Sequence, residues 1–298
     1  MALFLWCFML QLFLKLHFAV LLAGFTGVFG RLITYDAFIL VFIRFSIAAT
    51  FIYFLLKAMH KLKEFPVRHK VQGILTGAIL AIHLVLFYLS IKLSNISIGT
   101  VTLATTGFFT AVLEPLIIKT RFDKSNFVYT LLSVFGLFLI FNFDTKFRLG
   151  IAVGLLSSLF SSLFAVYNKK FSYKKDPYTF VNYQMFGGFM FMLICAIPYI
   201  VLNDAPIEFR ELDIFYLILL ATVFTVLLYL LVVQLSEKLS AFTISLTFNL
   251  EPVYAIVIAM ILFNEDKELN FSFYLGVVLM MTCVFLQNRK IKKHMSDR

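Results

Sequence analysis

The chain of 298 residues is 61% hydrophobic and only 14% charged, with 38 Phe and a mean hydropathy of +0.95. As a soluble globule it would leave far too much apolar surface in water, so the sequence describes a polytopic membrane protein. The net charge of +10 calls for no nucleic acid, because the basic residues fall where membrane topology places them.

The first fourteen residues, MALFLWCFMLQLFL, form an apolar extension ahead of Lys15, read either as a longer first helix or as a segment lying in the interface. They lack the basic start of a signal peptide. Apolar runs separated by short charged or turn-rich pieces then predict ten spans, near residues 16–34, 37–57, 71–91, 96–118, 126–143, 149–168, 178–202, 214–235, 240–263 and 271–288. Connections of at most about a dozen residues leave no room for a soluble catalytic domain. With the N-terminus in the cytoplasm, 19 basic residues lie inside against six outside, and Arg44 stays within a span. Both termini, including the basic tail 289–298, are therefore expected on the cytoplasmic side of a plasma (inner) membrane. The outer connections then hold Asp204, Glu208, Glu211, Asp213, Glu265, Asp266 and Glu268. Cys7, Cys195 and Cys283 have neither paired nor metal-binding spacing and are expected as free thiols.

Polar groups inside the spans are the candidates for chemistry. Arg44 in the second span either grips a substrate carboxylate with its forked guanidinium or pairs within the fold. His83, midway along the third, binds solute, relays protons or serves as a hydrogen-bonded structural residue. Gly73, Gly77 and Ala81 in the third span, and Ser158, Ser162 and Ala165 in the sixth, form stripes of small residues that let helices approach closely. In the fourth span Thr102, Thr106, Thr110 and Glu114 recur every fourth residue, with Glu114 expected to reach the interface or to pair with Lys119 or Arg121. Asn168, Tyr183 and Gln184 are candidate cavity or gate residues.

The ninth span carries the strongest signal. Glu251 falls near its middle, where an uncompensated charge costs about 3 kcal/mol or more. Thr243, Thr247 and Glu251 share one helical face, and Pro252 frees the carbonyl of Phe248 beside Asn249. Glu251 either touches substrate or a coupling proton, or locks helices through a hydrogen bond.

Laid against itself, the chain divides into 15–146 and 147–288. At an offset of 140, Asp36-Ala37-Phe38 meets Asp176-Pro177-Tyr178, Arg44 meets Gln184 and Ala48 meets Gly188. At an offset of 145, Thr106 to Ala111 meets Glu251 to Ile256. Five helices per half is an odd number, so the second copy enters the membrane in the opposite sense. The expected fold is an all-α membrane protein of ten transmembrane helices in two inverted five-helix repeats, with a solute path between them.

The early Arg44-Phe45 pair, the segment TTGFFTAVLEPL, and NLEPVYAIVIAMILFNE followed by YLGVVLMM resemble the EamA branch of the drug/metabolite transporter superfamily over roughly residues 15 to 288. The chain departs from that pattern at Asn264, where many relatives have Gly, and at Gly107, where many have Pro. The resemblance implies a secondary transporter, an exporter or exchanger, of small metabolites such as amino acids through a central cavity, by alternating access. Glu251, Asn249, Thr106, Thr247, His83 and Arg44 are then the expected substrate contacts, with Glu251 and His83 the candidates for proton coupling. The expected partners are a small-molecule metabolite and the bilayer, with a homodimer left open. No catalytic, cofactor-binding or metal motif occurs, and the five His residues are dispersed. An enzyme, or a receptor that transports nothing, is the competing class.

Overall fold

The computed structural model describes residues 2–119, 124–143, 145–171, 176–202, 210–236, 238–239, 244, 247–248, 250–279, 281–282 and 286. Every regular element among the described residues is helical. Helix α1 spans Ala2–Leu32, so the apolar extension and the first predicted span are one helix. It is followed by α2 (Ala37–Ala58), α3 (Val67–Leu93) and α4 (Ile96–Thr102). A 3-10 turn at Leu103–Thr105 leads into α5 (Thr106–Ile118), then α6 (Lys124–Phe143), α7 (Arg148–Phe171) and α8 (Pro177–Leu202). Helix α9 (Glu211–Ala221) passes through a π turn, Thr222–Leu227, into α10 (Leu228–Ser236), and α11 covers Glu251–Phe263. Residues 271–279 are again helical. Among the described residues, seven stretches are long and apolar enough to cross a membrane: Leu10–Leu32, Ala37–Ala58, Val67–Leu93, Ile96–Ile118, Thr145–Phe171, Pro177–Ala196 and Glu211–Leu235. The protein is an integral, multi-pass membrane protein.

Local chemistry repeats between the halves. Asp36 caps α2 by accepting from the amides of Phe38 (2.8 Å) and Ile39 (3.1 Å). Asp176, at the aligned position, caps α8 by accepting from the amide of Thr179 (3.3 Å) and its hydroxyl (2.7 Å). Helices α5 and α11 each have 13 residues, and their starts lie 145 apart in sequence. Both end on a left-handed residue, Lys119 (φ 62°) and Asn264 (φ 53°). Glycine is the usual occupant of such a cap and asparagine a tolerated substitute, which accounts for Asn264.

In lipid there is little hydrophobic drive for helices to associate, so close packing and polar contacts must hold them. The small residues of α3 do this against α8. A Cβ on Gly77 would lie 2.0 Å from the Gln184 carbonyl oxygen, one on Gly187 would lie 2.3 Å from that of Ile74, and one on Gly73 would lie 2.7 Å from Tyr183 Cβ. On its other side α3 meets α7, where the Ser90 hydroxyl donates to Gly150 O (2.7 Å). Phe54, Ile194 and Ile261 are well exposed, as lipid-facing side chains should be.

Contact order along helix pairs gives their directions. Phe38 stacks on Tyr199 (4.3 Å), Phe42 on Phe189 (6.3 Å), and Phe45 covers Gly188, so α2 and α8, the second helices of the two halves, run antiparallel. Helix α1 runs parallel to α11, with Gly24 against Glu251 to Ala255 and Arg31 against Phe263 and Glu265. Helix α5 runs parallel to α7 through Thr110–Ser162, Glu114–Lys169 and Ile117–Lys170.

Candidate functional site

Arg44 is 4% exposed, in the interior of α2. Its Nε donates to Thr225 Oγ1 (2.9 Å) and its Nη1 to the Tyr88 hydroxyl (2.8 Å). Tyr88 in turn donates to Thr26 O on α1 (3.1 Å). The Thr225 hydroxyl donates to Leu220 O (2.7 Å), five residues back, so the π turn between α9 and α10 supplies both the kink and the acceptor that orients the guanidinium. All these partners are neutral. Among the described residues the ion pairs are Arg31 with Glu265 and Glu268, and Lys169 with Glu114, so a buried cation stands without a carboxylate.

Glu251 is the acid of the ninth span. Residues 247–248 are helical, Leu250 N donates to Thr247 O (3.0 Å) in a tight turn, and α11 starts at Glu251, so the span is interrupted where the sequence pattern predicts one continuous helix. The first half breaks in the same place: the 3-10 turn at Leu103–Thr105 precedes Thr106, the residue aligned with Glu251. The physical reason is Pro252, which cannot donate to Phe248 and favours the first turn of a helix. The backbone carbonyl of Glu251 lies against Gly24 of α1, and among the described residues its side chain forms no ion pair. Tyr229 lies one turn beyond Thr225.

The other predicted residues fall into separate groups. His83 is buried, with Nδ1 3.0 Å from Ser157 O and 2.9 Å from Ser157 Oγ, and so fastens α3 to α7. Gln184 donates through Nε2 to Asn168 Oδ1 (3.0 Å) and Thr76 Oγ1 (3.3 Å), a second cluster joining α8, α7 and α3. Tyr183 faces away from that cluster and stacks on Phe65 (6.0 Å). Among the described residues Thr106 has a buried hydroxyl without a partner, whereas Thr247 is buried and bonded. Asn249 lies outside the described residues, as does Thr243. Glu114 pairs with Lys169 on α7 (2.5 Å), a partner its own helix does not reveal. Glu265, read from sequence as a loop carboxylate, is fully buried.

Tyr88, Thr225 and Tyr229 were not singled out by sequence. The only available signal was the four-residue spacing of Thr225 and Tyr229 on one face of an otherwise apolar span.

These features define a multi-pass helical membrane protein with interrupted helices and a buried arginine held by neutral groups. Two copies of the EamA-like transporter family model match the chain, over residues 12–142 and 148–289. The chain belongs to the EamA-like transporter family, whose members are generally transporters of the drug/metabolite transporter superfamily rather than enzymes. A solved structure, titled only as the crystal structure of a protein, is 12% identical and similar in fold, with a TM-score of 0.61 over 92% of this chain and 95% of that chain. No curated protein matches.

Proposed function

We propose that the chain is a secondary transporter of ten spans, built as two inverted five-helix repeats over 15–146 and 147–288. It exports or exchanges small zwitterionic metabolites such as amino acids, by alternating access between the repeats. The observation that carries this reading is a buried guanidinium held only by neutral groups, together with a carboxylate at a helix break that forms no ion pair among the described residues. A free amino acid supplies the two missing counter-charges: its carboxylate faces Arg44 and its ammonium faces Glu251. The unpartnered Thr106 hydroxyl offers a further hydrogen-bonding position. The antiparallel run of α2 and α8 supports the inversion, and helix breaks at aligned residues of both halves are where such folds place their solute. Asn249 and Thr247 are proposed as further contacts, Asn168, Tyr183 and Gln184 as cavity and gate residues, and Glu251 with His83 as the groups available to a coupling proton. The membrane is the plasma membrane, with both termini cytoplasmic.

The test is reconstitution of the full chain in liposomes loaded with a mixed pool of labelled amino acids. Compounds that cross unaltered, with counterflow lost in Glu251→Gln, are expected. Compounds that emerge chemically modified would overturn the reading in favour of an enzyme.

A further inference from the structure

The parallel pairs α1–α11 and α5–α7 occupy equivalent places: each joins the first helix of one half to the fourth-span helix of the other. Each pair carries an ion pair near the C-terminal ends of its helices. On α1–α11, Arg31 Nη1 donates to Glu265 Oε1 (2.8 Å), and Nη2 lies 3.6 Å from Glu268. Glu265 has no exposed surface, because it also accepts from the first amides of α4, Ile96 N to Oε1 (2.9 Å) and Ser97 N to Oε2 (2.8 Å). Asn95 satisfies the next amide, Ile98 N (2.9 Å), and donates to Glu268 (3.1 Å). Arg31 also stacks on Phe263 (4.8 Å). On the same face Asp213 accepts from Thr34 N (3.1 Å) and from the Thr34 hydroxyl. On α5–α7 the counterpart, among the described residues, is an exposed pair. Lys169, 62% exposed, meets Glu114, 26% exposed, and Lys170 donates to Ile117 O (3.1 Å).

An exposed ion pair contributes little, whereas a buried carboxylate stripped of its partners is costly. The two pairs are therefore unequal by construction in this conformation. We infer that Arg31–Glu265 and Lys169–Glu114 are a matched pair of ionic gates: the first is shut here, sealing the face lined by Arg31, Asn95 and Glu268, and the second is loose. The cycle exchanges their states. Glu265 does two jobs at once, holding Arg31 and capping the first amides of α4. Arg31, Asn95 and Glu268 also line a cavity of about 430 Å³ that extends to Lys92 and Lys146, so the gate opens into a space large enough to admit a small solute.

The experiment uses the full chain with its three native cysteines replaced by Ser and one reporter at a time. Thr100→Cys reports the face behind Arg31–Glu265, because Thr100 lies one turn into α4, against Gly27. Thr110→Cys reports the other, since Thr110 is partly exposed and faces Ser162 across that pair. Maleimide labelling rates are measured in detergent without substrate. Glu265→Gln is expected to raise Thr100→Cys labelling about tenfold and to lower that of Thr110→Cys. Glu114→Gln should leave the Thr100→Cys rate unchanged or slow it. Should Glu265→Gln fail to fold, Arg31→Gln leaves the α4 cap in place and is expected to have the same direction. Unchanged rates in a folded Glu265→Gln or Arg31→Gln protein, or both reporters rising together, overturn the inference. The gate rests on the transporter reading for its purpose, but labelling needs no solute. Reciprocal labelling in a protein that moves nothing would sink the transport reading and leave the gate standing.

Discussion

Replacing Arg44 by Gln separates a binding residue from a structural one. A guanidinium meeting a substrate carboxylate makes charge-assisted hydrogen bonds worth about 1.5–3 kcal/mol, which is roughly a 10- to 150-fold loss in affinity for a zwitterionic amino acid. Stability should respond quite differently. Tyr88 keeps its bond to Thr26 O and Thr225 keeps its bond to Leu220 O, so removing the arginine orphans no buried donor. It also removes a desolvated cation, and these effects offset one another to within about 1 kcal/mol. The assay pairs equilibrium binding of a labelled amino acid and of its decarboxylated amine with a thermal melt in detergent. Wild type should prefer the amino acid, and Arg44→Gln should bind the two about equally while melting within a few degrees of wild type. A variant that keeps the full preference, or that loses several kcal/mol of stability with its preference intact, refutes the role assigned to Arg44.

Gly77→Ala should destabilise the protein by about 1–3 kcal/mol in a thermal melt, since its Cβ would lie 2.0 Å from the Gln184 carbonyl and only a backbone shift relieves that. Thr225→Val removes the acceptor that orients Arg44. Binding of the amino acid should weaken severalfold while the decarboxylated amine binds as before, as equilibrium binding would show. His83→Leu breaks the tie to Ser157 and should cost about 1–3 kcal/mol of stability; in the proteoliposome assay, transport that keeps its pH profile in the folded variant would remove His83 from proton coupling.

What the sequence could reveal was whatever repeats along it. Apolar runs of span length, the offset between Asp36 and Asp176, and the offset between Thr106 and Glu251 are local or periodic signals; they foretold helices and aligned positions, while that those positions are caps and helix breaks emerges only from the structure. The partners of polar groups are a different matter, because each lies far along the chain. Arg44 to Thr225 is a separation of 181 residues, and Arg31 to Glu265 one of 234. Glu265 looks like any loop acid in sequence. Only folding brings the bare first turn of α4 against it, 168 and 169 residues away, and turns it into a buried cap. Likewise the periodicity of the ninth span ran through Glu251 without a break: Pro252 showed in sequence that the Phe248 carbonyl is freed, but hydropathy registers only apolar length and does not say that the helix is interrupted there.

The neutral company of Arg44 is the feature that ties fold to function. A protein selecting for stability alone would pair the guanidinium with a carboxylate or replace it with an apolar residue, since either relieves the desolvation of a lone cation. Thr225, Tyr88 and Thr26 do neither. They fix the direction of the fork through two of its donors and leave its charge uncancelled, and the other half of the chain presents an acid, Glu251, that no basic residue among those described has claimed. An interior that keeps opposite charges apart in lipid is less stable than one that lets them meet. In the function proposed above, a solute bearing both charges would make up that deficit, and binding energy recovered only in the occupied state would let occupancy shift the balance between two conformations.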